Sequence, residues 1–177
     1  MSGTTVSEAN TRVMEVGHAP TPYSADEIRL GCPAGRSIQL RVETAVEPTY
    51  IQHIRFIEAD EMGATQDLWR TSPDGEPRGG SDTVYSTWEE LQKHASFEAD
   101  ATSIDDERIE IPAGVFDCLR YTVARGVFTH VFWFANDLPG MPVKFTAHTD
   151  DHLTYSSEMV SNTVPRHEPS DGTKPNI

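Results

Sequence analysis

Hydrophobic residues in this chain alternate with polar ones far more often than they recur at helical spacing. Ile38, Leu40 and Val42 lie on one side of a stretch whose other side is Gln39, Arg41 and Glu43. That period of two predicts a half-buried strand. Residues 50–59 read as a second strand, Ile51, His53, Arg55 and Ile57 alternating with Gln52, Ile54, Phe56 and Glu58, and residues 64–70 as a third. Further strands are predicted over residues 108–111, 115–123, 127–134, 143–148 and 153–160. Val13, Met14 and Val16 suggest a first short strand or an extended arm over residues 11–16.

Turn chemistry divides these strands. Residues 72–82, Ser-Pro-Asp-Gly-Glu-Pro-Arg-Gly-Gly-Ser-Asp, form the strongest turn cluster and predict a mobile loop. Pro112-Ala113-Gly114 and Thr149-Asp150-Asp151 each close a hairpin. Ala124-Arg125-Gly126 suits a three-residue hairpin loop with glycine in the left-handed position.

Two helices are predicted, both short. Ser24 and Glu27 have the spacing of a capping box, in which each side chain satisfies the other's free backbone donor. That helix should run to about Leu30, with Gly31 as a left-handed stop and Pro33 barring resumption. Ser86 and Glu89 suggest a second box, followed by Trp88, Leu91 and Ala95 on one face. The fold class expected is mainly β: a single curved antiparallel sheet, as a half-barrel or small barrel, with one or two short packed helices. Residues 1–10 should be a flexible N-terminus, 11–163 one β-rich domain, and 164–177 a flexible tail.

Composition narrows the partners. The chain has 177 residues, 14 Lys and Arg against 28 Asp and Glu, and a formal charge of −14. Such a field repels phosphate backbones and anionic lipid, so neither nucleic acid nor a membrane is expected as a partner. There is no basic-then-apolar leader and no apolar run of the roughly 20 residues that a membrane span needs. Two cysteines, Cys32 and Cys118, are too few for a disulfide framework. Together these favour a cytoplasmic protein with reduced thiols.

Candidate chemistry gathers on the hairpin around residue 130. The three-residue loop sets His130 opposite Arg120; a two-residue loop sets it opposite Tyr121. Either way an imidazole lies among rings, as a general base on a pocket floor or as a core histidine bonded to Tyr121 or the backbone. His53 and Arg55 share a strand face with isoleucines. They line a concave ligand site or stand on an exposed face with long side chains snorkelling. His148 and His152 flank Asp150 and Asp151, but with no third convergent ligand identifiable no metal is expected. The acidic runs at Asp105–Asp106–Glu107 and Glu58–Asp60–Glu61 read as solvated strand ends. No phosphate loop, dinucleotide fingerprint, nucleophile elbow or zinc-protease helix occurs, and no cofactor is expected.

Ile111-Pro112-Ala113-Gly114-Val115-Phe116-Asp117-Cys118, followed by Phe132-Trp133-Phe134-Ala135 and the turn to Val143, resembles a pattern in uncharacterised bacterial β-rich proteins. Some of these are similar to lipoprotein-carrier folds. The resemblance covers residues 107–144 and implies a sheet curled as a half-barrel over a helix.

Three functional expectations follow. The first is a binding protein that holds an apolar or amphipathic small molecule on an aromatic concave face, with Trp133, Phe132, Phe134, Phe116, Trp88 and Arg55 as ligand contacts. The second is a cofactor-independent lyase, isomerase or cyclase that uses His130, Tyr121, Arg120 and His53 for proton transfer and oxyanion stabilisation. The third is a structural or interaction module that forms a homodimer through a sheet edge.

Overall fold

The computed structural model describes residues 11–166. The expectations for residues 1–10 and 167–177 lie outside that range. Its elements are α1 (Ala25–Gly31), β1 (Ser37–Thr44), β2 (Tyr50–Ala59), β3 (Gly63–Thr71), β4 (Pro77–Thr87) and α2 (Trp88–Lys93). A 3-10 turn (Ala99–Ala101) then leads to β5 (Thr102–Ile111), β6 (Gly114–Arg125), β7 (Phe128–Ala135), β8 (Lys144–Thr149) and β9 (His152–Thr163). The nine strands form one curved, unclosed antiparallel sheet in the order β4-β3-β2-β1-β9-β8-β7-β6-β5. The fold is therefore mainly β with two short helices, a half-barrel rather than a closed barrel.

Register fixes which side chains meet. One inner row runs across seven strands: Tyr50, Val42, Ser157, Phe145, Phe132, Tyr121 and Ile104 are successive cross-strand partners. The alternate positions make an outer row of Arg41, Glu158, Lys144, Trp133, Arg120 and Asp105. Apolar residues occupy most of the first row and charges most of the second, as a sheet covered on one face requires. Ile38, Val42, Tyr121 and Met159 are each at most 2% exposed and form the floor of the core.

The cover over the inner face comes from residues 11–36 and 88–101. Tyr23 meets Phe134 edge-on at 6.0 Å, and Phe97 stacks on Phe132 at 4.9 Å. Gln92 on α2 fastens the cover together. Its amide donates to Thr11 O and Thr21 Oγ1, and its Oε1 accepts from Ala25 N–H at the start of α1. At the sheet's far end the β5–β6 turn reaches back to the middle strands, where Ala113 N–H donates to Met159 O at 3.0 Å.

Several sequence expectations need correction. Residues 11–16 form no strand; that segment is irregular and contributes to the cover. Residues 77–82 are strand, not loop, because β4 is an edge strand. There Pro77 needs no inner partner for its nitrogen, and the bulge at Trp69/Arg70 absorbs the paired glycines. The first capping box is present as expected, but the second uses Thr87 and Glu90 rather than Ser86 and Glu89. Gly31 is not a left-handed stop. It is small because a Cβ there would come within 2.9 Å of the Pro139 ring. The β6–β7 loop has two residues, Gly126 and Val127, with Gly126 at φ +61 in the first position, as the hairpin twist prefers. His130 consequently pairs with Val123, opposite neither Arg120 nor Tyr121.

Candidate ligand-binding site

Between the helices and β1–β4 the inner face is not filled. A cavity of about 320 Å³ remains there, within the size range of small-molecule sites. The curvature of the sheet presents Ile38, Ile54, Phe56, Leu68 and Val84 to it, one or two from each strand. Ile28 and Cys32 face it from α1 and the residues after it, Leu91 from α2, and Met141 from the turn before β8. Gln66, Ser86 and His94 bring polar groups to the wall. A mostly apolar hollow with a few polar groups is suited to holding an apolar molecule in a fixed orientation.

The thiol on this wall is held neutral. Burial pushes the Cys32 pKa up, and the neighbouring Arg36 only partly offsets it. Cys118 is likewise buried and unpaired, its pKa pushed up to about 11 by burial with help from Asp117, Glu107 and Asp137. Neither cysteine has the depressed pKa of a nucleophile.

The residues expected from sequence fall in four places. Phe132, Phe134 and Tyr121 are on the inner face as expected, within an aromatic cluster completed by Phe97, Tyr23, Phe145 and Tyr155. Tyr121 is 2% exposed and donates its hydroxyl to Pro20 O at 2.7 Å; burial pushes its pKa up to about 12. His130 is on this face too but exposed, and with Phe97, Val123, Arg125 and Phe128 it lines a separate 390 Å³ hollow. Its exposure rules out the core-histidine reading.

Arg120 and Trp133 are on the outer face, because their register places them one residue out of phase with Tyr121 and Phe132. There Arg120 pairs with Glu107 at 3.0 Å and Asp105 at 3.2 Å, and the Trp133 indole donates to Glu107. Phe116 shares the Arg120 face by register. His53 and Arg55 are also outer: His53 stacks on Trp69 at 4.8 Å, and Arg55 is exposed. Burial against Trp69 lowers the His53 pKa. Trp88, the first residue of α2, is 4% exposed, its indole N–H satisfied by Asp60 O at 2.9 Å. The four residues expected to do chemistry thus lie on opposite faces of one sheet. None of the ten residues singled out lines the 320 Å³ cavity.

What sequence reasoning missed is the helix-side wall. Ile28 and Leu91 were on predicted helices, but a pattern of one chain segment does not say where it docks. The signal available was the small-residue spacing Gly31-Cys32 and Pro139-Gly140-Met141, which the structure brings together. Among the described residues no three His, Cys, Asp or Glu side chains gather as a metal site, His148 and His152 included. Nor is any helix long and apolar enough to cross a membrane.

Buried tyrosines give this face a pH signature. A phenol whose pKa rises on folding stabilises the fold below its unfolded pKa and loses that contribution as pH rises through the folded value. For Tyr121 the window is pH 10 to about 12; burial raises Tyr23 as well. Thermal stability should therefore fall steeply across that window, and Tyr121→Phe should flatten the fall. An unchanged slope in the variant would show that Tyr121 ionises as freely folded as unfolded.

No protein-family model and no curated protein matches this chain.

Proposed function

We propose that this protein is a cytosolic small-molecule-binding protein that holds an apolar or amphipathic ligand on the concave face of its half-barrel. The observation that carries this reading is the 320 Å³ cavity, bounded by apolar side chains from α1, α2 and four neighbouring strands. The two cysteines support a reducing compartment, since both are buried as free thiols.

The site is the helix-covered cavity, not the aromatic cluster. Phe97 and Tyr23 from the cover already fill the space against Phe132 and Phe134. Those rings act as core, and the empty volume lies over β1–β4 instead. Catalysis by His130, Tyr121, Arg120 and His53 has no assembled site to support it.

The neutral fluorophore N-phenyl-1-naphthylamine tests the reading. Saturable uptake of one molecule per chain, displaced by medium-chain alcohols, is the expected result. Absence of uptake, or uptake that never saturates, would sink it.

A further inference from the structure

The wall of the 320 Å³ cavity is sorted by polarity. On the side of β1 and β2 it is made by Ile38, Ile54 and Phe56, each at most 7% exposed. Its polar side chains come from the other side: Gln66 on β3, Ser86 on the edge strand β4, and His94 just after α2. The Gln66 and Ser86 side chains are half-buried and have no hydrogen-bond partner among the described residues. Gln66 pairs with Val84 and Ser86 with Ala64, so the two are diagonal neighbours on the inner face, close enough for one small polar group to meet both. From β1 to β3 is two strand spacings, roughly 10 Å, so a medium-length chain spans from the apolar end to the polar one.

Charge is missing from this wall. Among the described residues no Asp, Glu, Lys or Arg lines the cavity. Burial holds Cys32 neutral, and His94, when protonated, already faces Glu90. Arg36 bonds to the Cys32 sulfur but is no part of the wall: it has no solvent exposure, and its other bonds go to Asn162, Pro139 and Gly31. A charged ligand group would leave water and find no opposite charge in its place, at high cost. The net charge of −14 further opposes an anion. A wholly apolar ligand would cover the Gln66 amide and the Ser86 hydroxyl and leave them unsatisfied, which costs more than a hydrogen bond gains.

We propose that the ligand of this cavity is an uncharged amphipathic molecule: an apolar chain ending in a hydroxyl or carboxamide, with that head at Gln66 and Ser86 and the chain against Ile38, Ile54 and Phe56. Amide and hydroxyl each donate and accept, and so does such a head. The inference rests on the binding reading above and adds the chemical class and the orientation.

Calorimetric titration of the full chain at neutral pH with 1-octanol, octanoate and octylamine tests it. At that pH the three share one chain and carry no charge, a negative charge and a positive charge. Octanol is expected to bind at least about tenfold more tightly than either ion, the margin of one charge left without a partner. Octanoate or octylamine matching or exceeding octanol overturns the inference and leaves the binding reading standing. Failure of all three to bind overturns both. Replacing the two head contacts together, Gln66→Leu with Ser86→Ala, is expected to weaken octanol about fivefold. A folded double variant that binds octanol as tightly as the wild type overturns the placement of the head; if the variant does not fold, the wild-type series decides.

Discussion

Replacing Trp88 with alanine is expected to destabilise the protein by about 3–5 kcal/mol, the usual cost of emptying a buried tryptophan site. For a chain of this size that is a fall in Tm of about 10 °C. Trp88 is the first residue of α2. Its ring is buried, its indole N–H donates to Asp60 O in the β2–β3 turn, and its backbone N–H reaches Met62 O. Removal would both open a void and detach the helix from the sheet end it rests on. Since α2 also carries Gln92, which fastens the N-terminal segment and α1, the loss should spread across the cover. Chemical denaturation followed by tryptophan-independent circular dichroism measures it. A loss under about 1 kcal/mol would mean that α2 does not dock through this ring.

Leu68→Trp should act in the opposite way, sparing the fold and abolishing ligand uptake. Leu68 faces the cavity from β3, so a larger side chain has space to enter without displacing packed neighbours. It would occupy the volume a ligand needs. Excluding about 100 Å² of ligand surface at about 25 cal/mol/Å² corresponds to about 2.5 kcal/mol, near a hundredfold in Kd. Val131→Trp is the control: Val131 lies between His130 and Phe132 on β7, so by register it faces away from the inner side, and affinity should not change. Uptake unaltered by Leu68→Trp would place the ligand elsewhere.

Much of the architecture was legible because a sheet covered on one face writes its register into the sequence. Ile38, Leu40 and Val42 show the period without ambiguity, and they are buried together. The Ser24–Glu27 box was equally plain, since capping depends only on local spacing. Errors arose where one residue of loop length or phase decides the outcome. The turn falls at Gly126-Val127, later in the chain than either expected loop, and so pairs His130 with Val123 rather than with Arg120 or Tyr121. Treating Arg120 and Trp133 as companions of Tyr121 and Phe132 ignored the alternation that sends neighbours to opposite faces.

The site was less legible than the fold for a physical reason. Aromatic density marks bulky filler as readily as a ligand surface, and here Phe97, distant from β7 in sequence, fills the expected groove by stacking on Phe132. The cavity arises instead from what the helices fail to cover over β1–β4. Nothing local in the sequence marks Arg36 as a buried residue. Only the convergence of Gly31, Pro139 and Asn162 on it shows that it is buried.

The most direct test of the central claim is to locate a bound ligand. Crystals of the protein soaked with 1-bromooctane would show bromine by its anomalous scattering. The expected position lies between α1, α2 and the inner face of β1–β4, within contact of Ile38, Ile54 or Leu68. Bromine only at the His130–Phe97 hollow or on the outer face, with the helix-covered cavity empty, would contradict the account.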